Sequence, residues 1–61
     1  MISQGSRVTY VPHHAHGDIT HPDCEHGKVT SINEAGTVFV RFDGQIGDTN
    51  PACLMSDLVE E

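Results

Sequence analysis

Positive charge is scarce in this chain. Arg7, Lys28 and Arg41 face nine Asp and Glu residues, so the formal net charge is −6 with histidine neutral. A phosphate-binding surface draws on clustered Lys and Arg. The shortage therefore argues against sequence-specific DNA or RNA binding. It suits solubility, or docking onto a basic protein surface. Tryptophan is absent and the aromatics stop at Tyr10, Phe39 and Phe42. With 61 residues the chain makes one domain at most, expected to span residues 1–61. A domain this small buries only about 60% of the surface its unfolded chain exposes. Such domains often need a staple: a metal, a disulfide or a partner chain. Long apolar runs are missing too, and nothing approaches the roughly 18 residues of a membrane span. The opening "MISQGSRV" has neither a basic n-region nor an apolar h-region, so no signal peptide is expected. The expected compartment is the cytoplasm. Its reducing conditions favour metal binding or free thiols over a disulfide between the two cysteines, Cys24 and Cys53.

What is present reads as short strands. "SRVTYV" (6–11) alternates, with Val8 and Tyr10 on one face, and Pro12 ends it because proline cannot donate to a ladder. Residues 12–26 show neither helical nor strand periodicity, and a loop of this length is usually functional or pinned by something. "GKVTSI" (27–32) and "TVFVRF" (37–42) flank the turn "NEAG" and predict a β-hairpin. Val38, Val40 and Phe42 share one face of the second strand; Thr37, Phe39 and Arg41 share the other. "DGQIGDTN" (43–50) is turn-rich, with room for a short strand near Gln45–Ile46. "PACLM" (51–55) predicts a helical or 3-10 turn, and "SDLVEE" (56–61) a closing strand. Together these predict an all-β fold, a small closed or half-closed barrel of four to five short strands.

The series glycine, "RVTYV", long loop, "GKVTSI", turn, "VFVRFDG" and final "DLV" resembles an SH3-like barrel of the KOW/Tudor type over most of the chain. More narrowly, the chain resembles small proteins of tailed bacteriophages and prophages. The matching elements are His14-Ala15, Gly17-Asp18, His21-Pro22-Asp23-Cys24-Glu25, Gly27 and Ala52-Cys53. The resemblance implies a phage-type accessory protein in a bacterial cytoplasm, and no activity. A KOW-like nucleic-acid module is the alternative the fold suggests and the charge opposes.

Residues 13–24, "HHAHGDITHPDC", hold four of the five histidines. "HAHGD" is similar to the first metal motif of metallo-β-lactamase-type hydrolases. It departs where that motif continues with His, since Ile19 follows Asp18, and the chain is several times too short for the later ligands. A structural zinc site is the better metal reading, because zinc takes four N or S ligands in a tetrahedron. His21-x-x-Cys24 has the spacing of a ligand pair on one turn. In an SH3-like barrel the long first loop packs beside the 3-10 turn before the last strand, and Cys24 and Cys53 fall in those two places. The expected set is His14, His21, Cys24 and Cys53, with His16 or His26 as alternates for His14. The competing reading makes both cysteines small buried hydrophobes and leaves the histidines solvated or bonded to carboxylates. Asp18 and Asp23 read as turn formers. Phe39, flanked by Arg41, is the candidate for an exposed contact surface, and its alternative is packing under a loop. No nucleophile–base pair, phosphate loop or paired-carboxylate cleft points to an enzyme. A protein-binding module that docks on a host or phage protein is the expected role.

Overall fold

Strand alternation builds the molecule. A computed structural model describes Met1–Glu61 and contains β1 (Arg7–Tyr10), β2 (Glu25–Ile32), β3 (Thr37–Phe42), β4 (Ala52–Leu54) and β5 (Leu58–Glu60). Two 3-10 turns, His13–Ala15 and Met55–Asp57, complete the elements. All neighbouring strands are antiparallel, in the order β4-β3-β2-β1-β5, which leaves β4 and β5 at the two edges of an open sheet. The all-β expectation stands. No helix is long and apolar enough to cross a membrane.

The inward positions make one small core. Val8, Val29, Val38 and Val40 are fully buried, and Phe42, Cys53 and Leu58 join them. Ile2, Tyr10 and Ile32 pack against the cluster from the side. Each fully buried valine contributes about 1.5–3 kcal/mol relative to exposure. Tyr10 meets Phe42 edge to face at 6.4 Å between ring centres.

The β2–β3 hairpin forms as its sequence predicts. The Asn33 side chain Oδ1 accepts hydrogen bonds from the Ala35 and Thr37 amides, and Gly36 takes φ of 84°. That left-handed value is open to glycine at little cost. Beyond the turn the register shifts between Val29 and Ser31, a bulge at Thr30.

Three expectations change. No strand forms near Gln45–Ile46; Ile46 is fully exposed and the fourth strand is β4. "PACLM" is not a helical turn. Ala52 and Leu54 point out and Cys53 points in, while Pro51, which has no N–H, accepts a bond from the Val40 amide. The 3-10 turn starts at Met55 instead and runs directly into β5. Finally, β2 begins at Glu25, because Tyr10 and Thr9 of β1 pair with Glu25 and His26.

Candidate functional site

The long first loop is a chain of successive turns. The amides of Ala15, Asp18, His21 and Cys24 each donate to the carbonyl three residues earlier, at 2.9–3.1 Å. This repetition pairs four backbone amides of the loop, whose one regular element is the short 3-10 turn at His13–Ala15. The 3-10 turn at His13–Ala15 is anchored by buried Ala15 and ends at His16, which adopts left-handed φ 51° and ψ 42°. The Asp18 carboxylate accepts from both the amide (2.9 Å) and the hydroxyl (2.6 Å) of Thr20. Asp18 is therefore the turn former expected of it.

These turns bring His14, His21 and Asp23 together. One ligand atom from each lies within 4.8 Å of the others, and no other three His, Cys, Asp or Glu side chains meet as closely. His14 Nε2 stands 2.7 Å from Asp23 Oδ2. The rings of His14 and His21 meet edge to face at 5.2 Å. The Asp23 amide donates to His21 Nδ1 at 3.0 Å, so that nitrogen is an acceptor and the neutral ring carries its proton on Nε2. The bond with His14 holds the Asp23 carboxyl below the usual carboxylate range.

The other residues of the expected zinc set stand elsewhere. Cys24, half-buried, donates its thiol to the Asp18 carbonyl at 3.3 Å. Cys53 lies in the core on β4, and burial pushes its thiol up, with Asp57 and Glu25 adding to the effect. Both thiols are free. The loop does pack beside the 3-10 turn before β5, but through its start: the Val11 amide donates to the Asp57 carbonyl and His13 pairs with Asp57 at 3.2 Å. Its other end runs into β2. His16 is exposed at the end of its turn. His26 sits on β2, where its Nδ1 contacts Thr9 Oγ1 and Glu61 Oε2, each at 3.0 Å. Both contacts fall on one nitrogen, so this ring does not relay a proton from hydroxyl to carboxylate.

The outward face of the sheet holds a second arrangement. Arg7 pairs with Lys28 across β1–β2, and Lys28 with Arg41 across β2–β3. All three cationic side chains of the chain thus stand in one exposed row. Arg7 is held bidentately by Asp43, at 2.9 and 2.6 Å. Lys28 and Arg41 have no ion pair. A shallow hollow beside them is lined by Gln4, Gly5 and Thr30 as well as the two cations. Phe39 lies two residues from Arg41 on the same face and is half-buried. Sequence reasoning singled out Phe39 and Arg41 but neither Lys28 nor Arg7, and it read Asp23 only as a turn residue. The signal for Asp23 was its place two residues after His21.

No protein-family model, curated protein or solved structure matches this chain.

Acid sensitivity follows from the carboxylates. Asp18 is held down by Thr20, Asp23 by His14, Asp43 by Arg7 and Glu61 by His26. A carboxylate depressed in the folded state adds stability above its unfolded pKa of about 4, and loses it as pH falls through the lower folded value. All four are solvent-exposed, so each adds little. Melting temperature is expected to be insensitive to these groups from about pH 7 to 5 and to fall steadily below about pH 4. Thermal melts followed by circular dichroism check this. A midpoint that holds or rises down to about pH 2.5 contradicts it.

Proposed function

We propose that the chain is a small docking module on an SH3-like scaffold of the KOW/Tudor type, which seats an acidic segment of a host or phage protein on its cationic row. The carrying observation is the alignment of Arg7, Lys28 and Arg41 across three strands, with Lys28 and Arg41 lacking carboxylate partners in a chain of nine acids. Like charges directly opposite each other on a sheet are destabilising. One carboxylate, Asp43, pairs with Arg7, and none pairs with Lys28 or Arg41. An acidic ligand removes that repulsion, and Phe39 beside Arg41 supplies apolar contact. Net charge alone favours a basic partner. At physiological salt, however, charges act over only about 8 Å, so the local row decides what seats there.

The scaffold assignment rests on strand order and on the 3-10 turn leading into β5. The setting, a phage-type accessory protein in a bacterial cytoplasm, rests on the resemblance of the loop sequence. The proposed role is non-enzymatic.

Fluorescence anisotropy with a labelled glutamate-rich peptide tests the reading. Binding is expected at low salt, weakened at least tenfold in Lys28→Ala/Arg41→Ala and reduced as salt rises. The same cations and Phe39 favour one second reading, association with a single-stranded nucleic acid through stacking and phosphate contacts. A single-stranded oligonucleotide in the same assay separates the two. Tighter binding of the oligonucleotide, lost in the same variant, replaces the first reading with the second. Binding of neither removes the docking role from this face.

A further inference from the structure

We propose that His14, His21 and Asp23 bind one divalent transition metal ion, zinc by preference, with a water molecule completing the coordination. This site shares no residue with the cationic row, so either proposal stands or falls without the other.

Three features support it. The first is convergence. Zinc with ligands at about 2.0–2.1 Å needs tetrahedral edges of about 3.3 Å. The ligand atoms here already lie within 4.8 Å of one another, and the closest pair, His14 Nε2 and Asp23 Oδ2, stands at 2.7 Å. Adjustments of about an ångström, by side chains on the loop surface, close the remaining gap. The second is preorganisation. His21 and Asp23 sit on one turn, closed by the Cys24 amide on the His21 carbonyl at 3.0 Å. His14 sits on a turn whose next residue, Ala15, is buried. The backbone that carries the ligands is therefore fixed before an ion arrives. The third is donor chemistry. Two imidazole nitrogens and one carboxylate oxygen suit zinc and its transition-metal neighbours, whereas calcium and magnesium take all-oxygen sets.

Binding has two identifiable costs. A ligating nitrogen carries no proton, so coordination through His14 Nε2 gives up its hydrogen bond to Asp23 Oδ2 at 2.7 Å. The second cost lies at His21. His21 Nδ1 accepts from the Asp23 amide, at 3.0 Å. A metal ligand usually donates through its other ring nitrogen. The ring therefore coordinates either through Nδ1, displacing that amide, or through Nε2, with Nδ1 protonated and the amide released. Either route gives up one hydrogen bond of the turn. The return is a clamp between the two ends of the loop, at residues 14 and 21–23, in a domain small enough to need one. Three protein ligands leave a position open, so the ion exchanges with solution more readily than in a closed four-ligand site.

The test uses the chelator-treated 61-residue chain near pH 7.5, titrated with zinc chloride by calorimetry and examined by native mass spectrometry. One zinc per chain is expected. Saturation at about 100 times the dissociation constant is expected to raise the melting temperature by about 10 °C or more. His14→Ala and Asp23→Asn are each expected to weaken binding at least tenfold. Both side chains are exposed, and a metal-free melt of each variant shows that the fold survives. Calcium and magnesium chlorides are expected to give no titration. Cys24→Ser and Cys53→Ser are expected to leave affinity unchanged, and cobalt(II)-loaded protein to show no sulfur-to-metal charge-transfer band. Loss of binding in either serine variant, or such a band, overturns the three-residue ligand set in favour of a thiolate site. Absence of any zinc titration at 100 µM protein overturns the site altogether.

Discussion

Gly27→Ala is expected to cost about 3 kcal/mol or more and to lower the melting temperature by about 15–20 °C. Gly27 is buried in β2, opposite Val8 of β1 and Phe42 of β3. A methyl group there meets the Arg41 carbonyl oxygen at 2.6 Å, Val40 Cγ1 at 2.8 Å and Phe42 Cα at 2.9 Å. Two of the three atoms are backbone, so no side-chain rotation relieves the clash. β3 has to move away from β2, in the longest pairing of the sheet. A 61-residue domain holds about 3–9 kcal/mol in total. The substitution therefore removes a large part of the stability, and all of it at the low end of that range. Gly36→Ala is the control. Its φ is 84°, but a Cβ there meets nothing within 4 Å, so only left-handed strain applies, about 1–2 kcal/mol. Thermal melts of the two variants side by side check the difference. A Gly27→Ala midpoint within about 5 °C of the parent contradicts the close approach.

Much of this fold is legible in the sequence, for an identifiable reason. Thr37–Phe42 alternates without interruption, and one residue, Asn33, fixes the turn before it by accepting two amides. Period-two burial and turn chemistry are local properties, so β1, β3 and the 27–32 part of β2 can be read locally, whereas Glu25 and His26 join β2 only through their pairing with β1. β4 cannot. Three residues carry too little alternation to tell a strand from a helical turn, and Pro51 fits both. What makes Ala52–Leu54 a strand is its long-range pairing with Thr37–Phe39.

Register shows the same limit with a larger consequence. Ser31 pairs with Phe39 and Ile32 with Val38; continued unchanged, that register sets Lys28 opposite Phe42. The extra residue at the Thr30 bulge moves the ladder by one and sets Lys28 opposite Arg41. The Thr30 hydroxyl donates to the Phe39 carbonyl at 3.1 Å, which holds the bulged residue against β3. The cationic row thus depends on a single unpaired residue that no periodicity announces. In the loop, the sequence marks His14 and His21 by type. The partner that meets them, Asp23, is chosen by the turn geometry between positions 18 and 24. Cys53 illustrates the converse. A cysteine on a three-residue strand serves the core here, and only the alternation of β4 reveals which way it points.

Phe42→Ala is the other substitution expected to bring the protein close to unfolding, at about 3–5 kcal/mol. Phe42 is 9% exposed, belongs to the core of buried valines and makes the edge-to-face contact with Tyr10. It is the one large side chain among the buried core residues, whose other members are valines, a leucine and a cysteine. Its loss leaves a cavity that small, β-branched neighbours do not refill, because valine has little rotamer freedom with which to collapse inward. Phe42→Leu keeps most of the volume and is expected to cost about 1.5 kcal/mol or less. Phe39→Ala is the informative contrast, three positions away in the chain but on the outward face and half-buried. It is expected to cost about 1 kcal/mol and to weaken peptide binding at the cationic row, whereas Phe42→Leu leaves binding intact. Urea denaturation at constant m-value measures the stability differences, and the anisotropy assay measures the binding. If Phe39→Ala destabilises as much as Phe42→Ala, Phe39 is a core residue packed under its neighbours. The contact face then reduces to the cationic row of Arg7, Lys28 and Arg41, and the docking reading loses its apolar half.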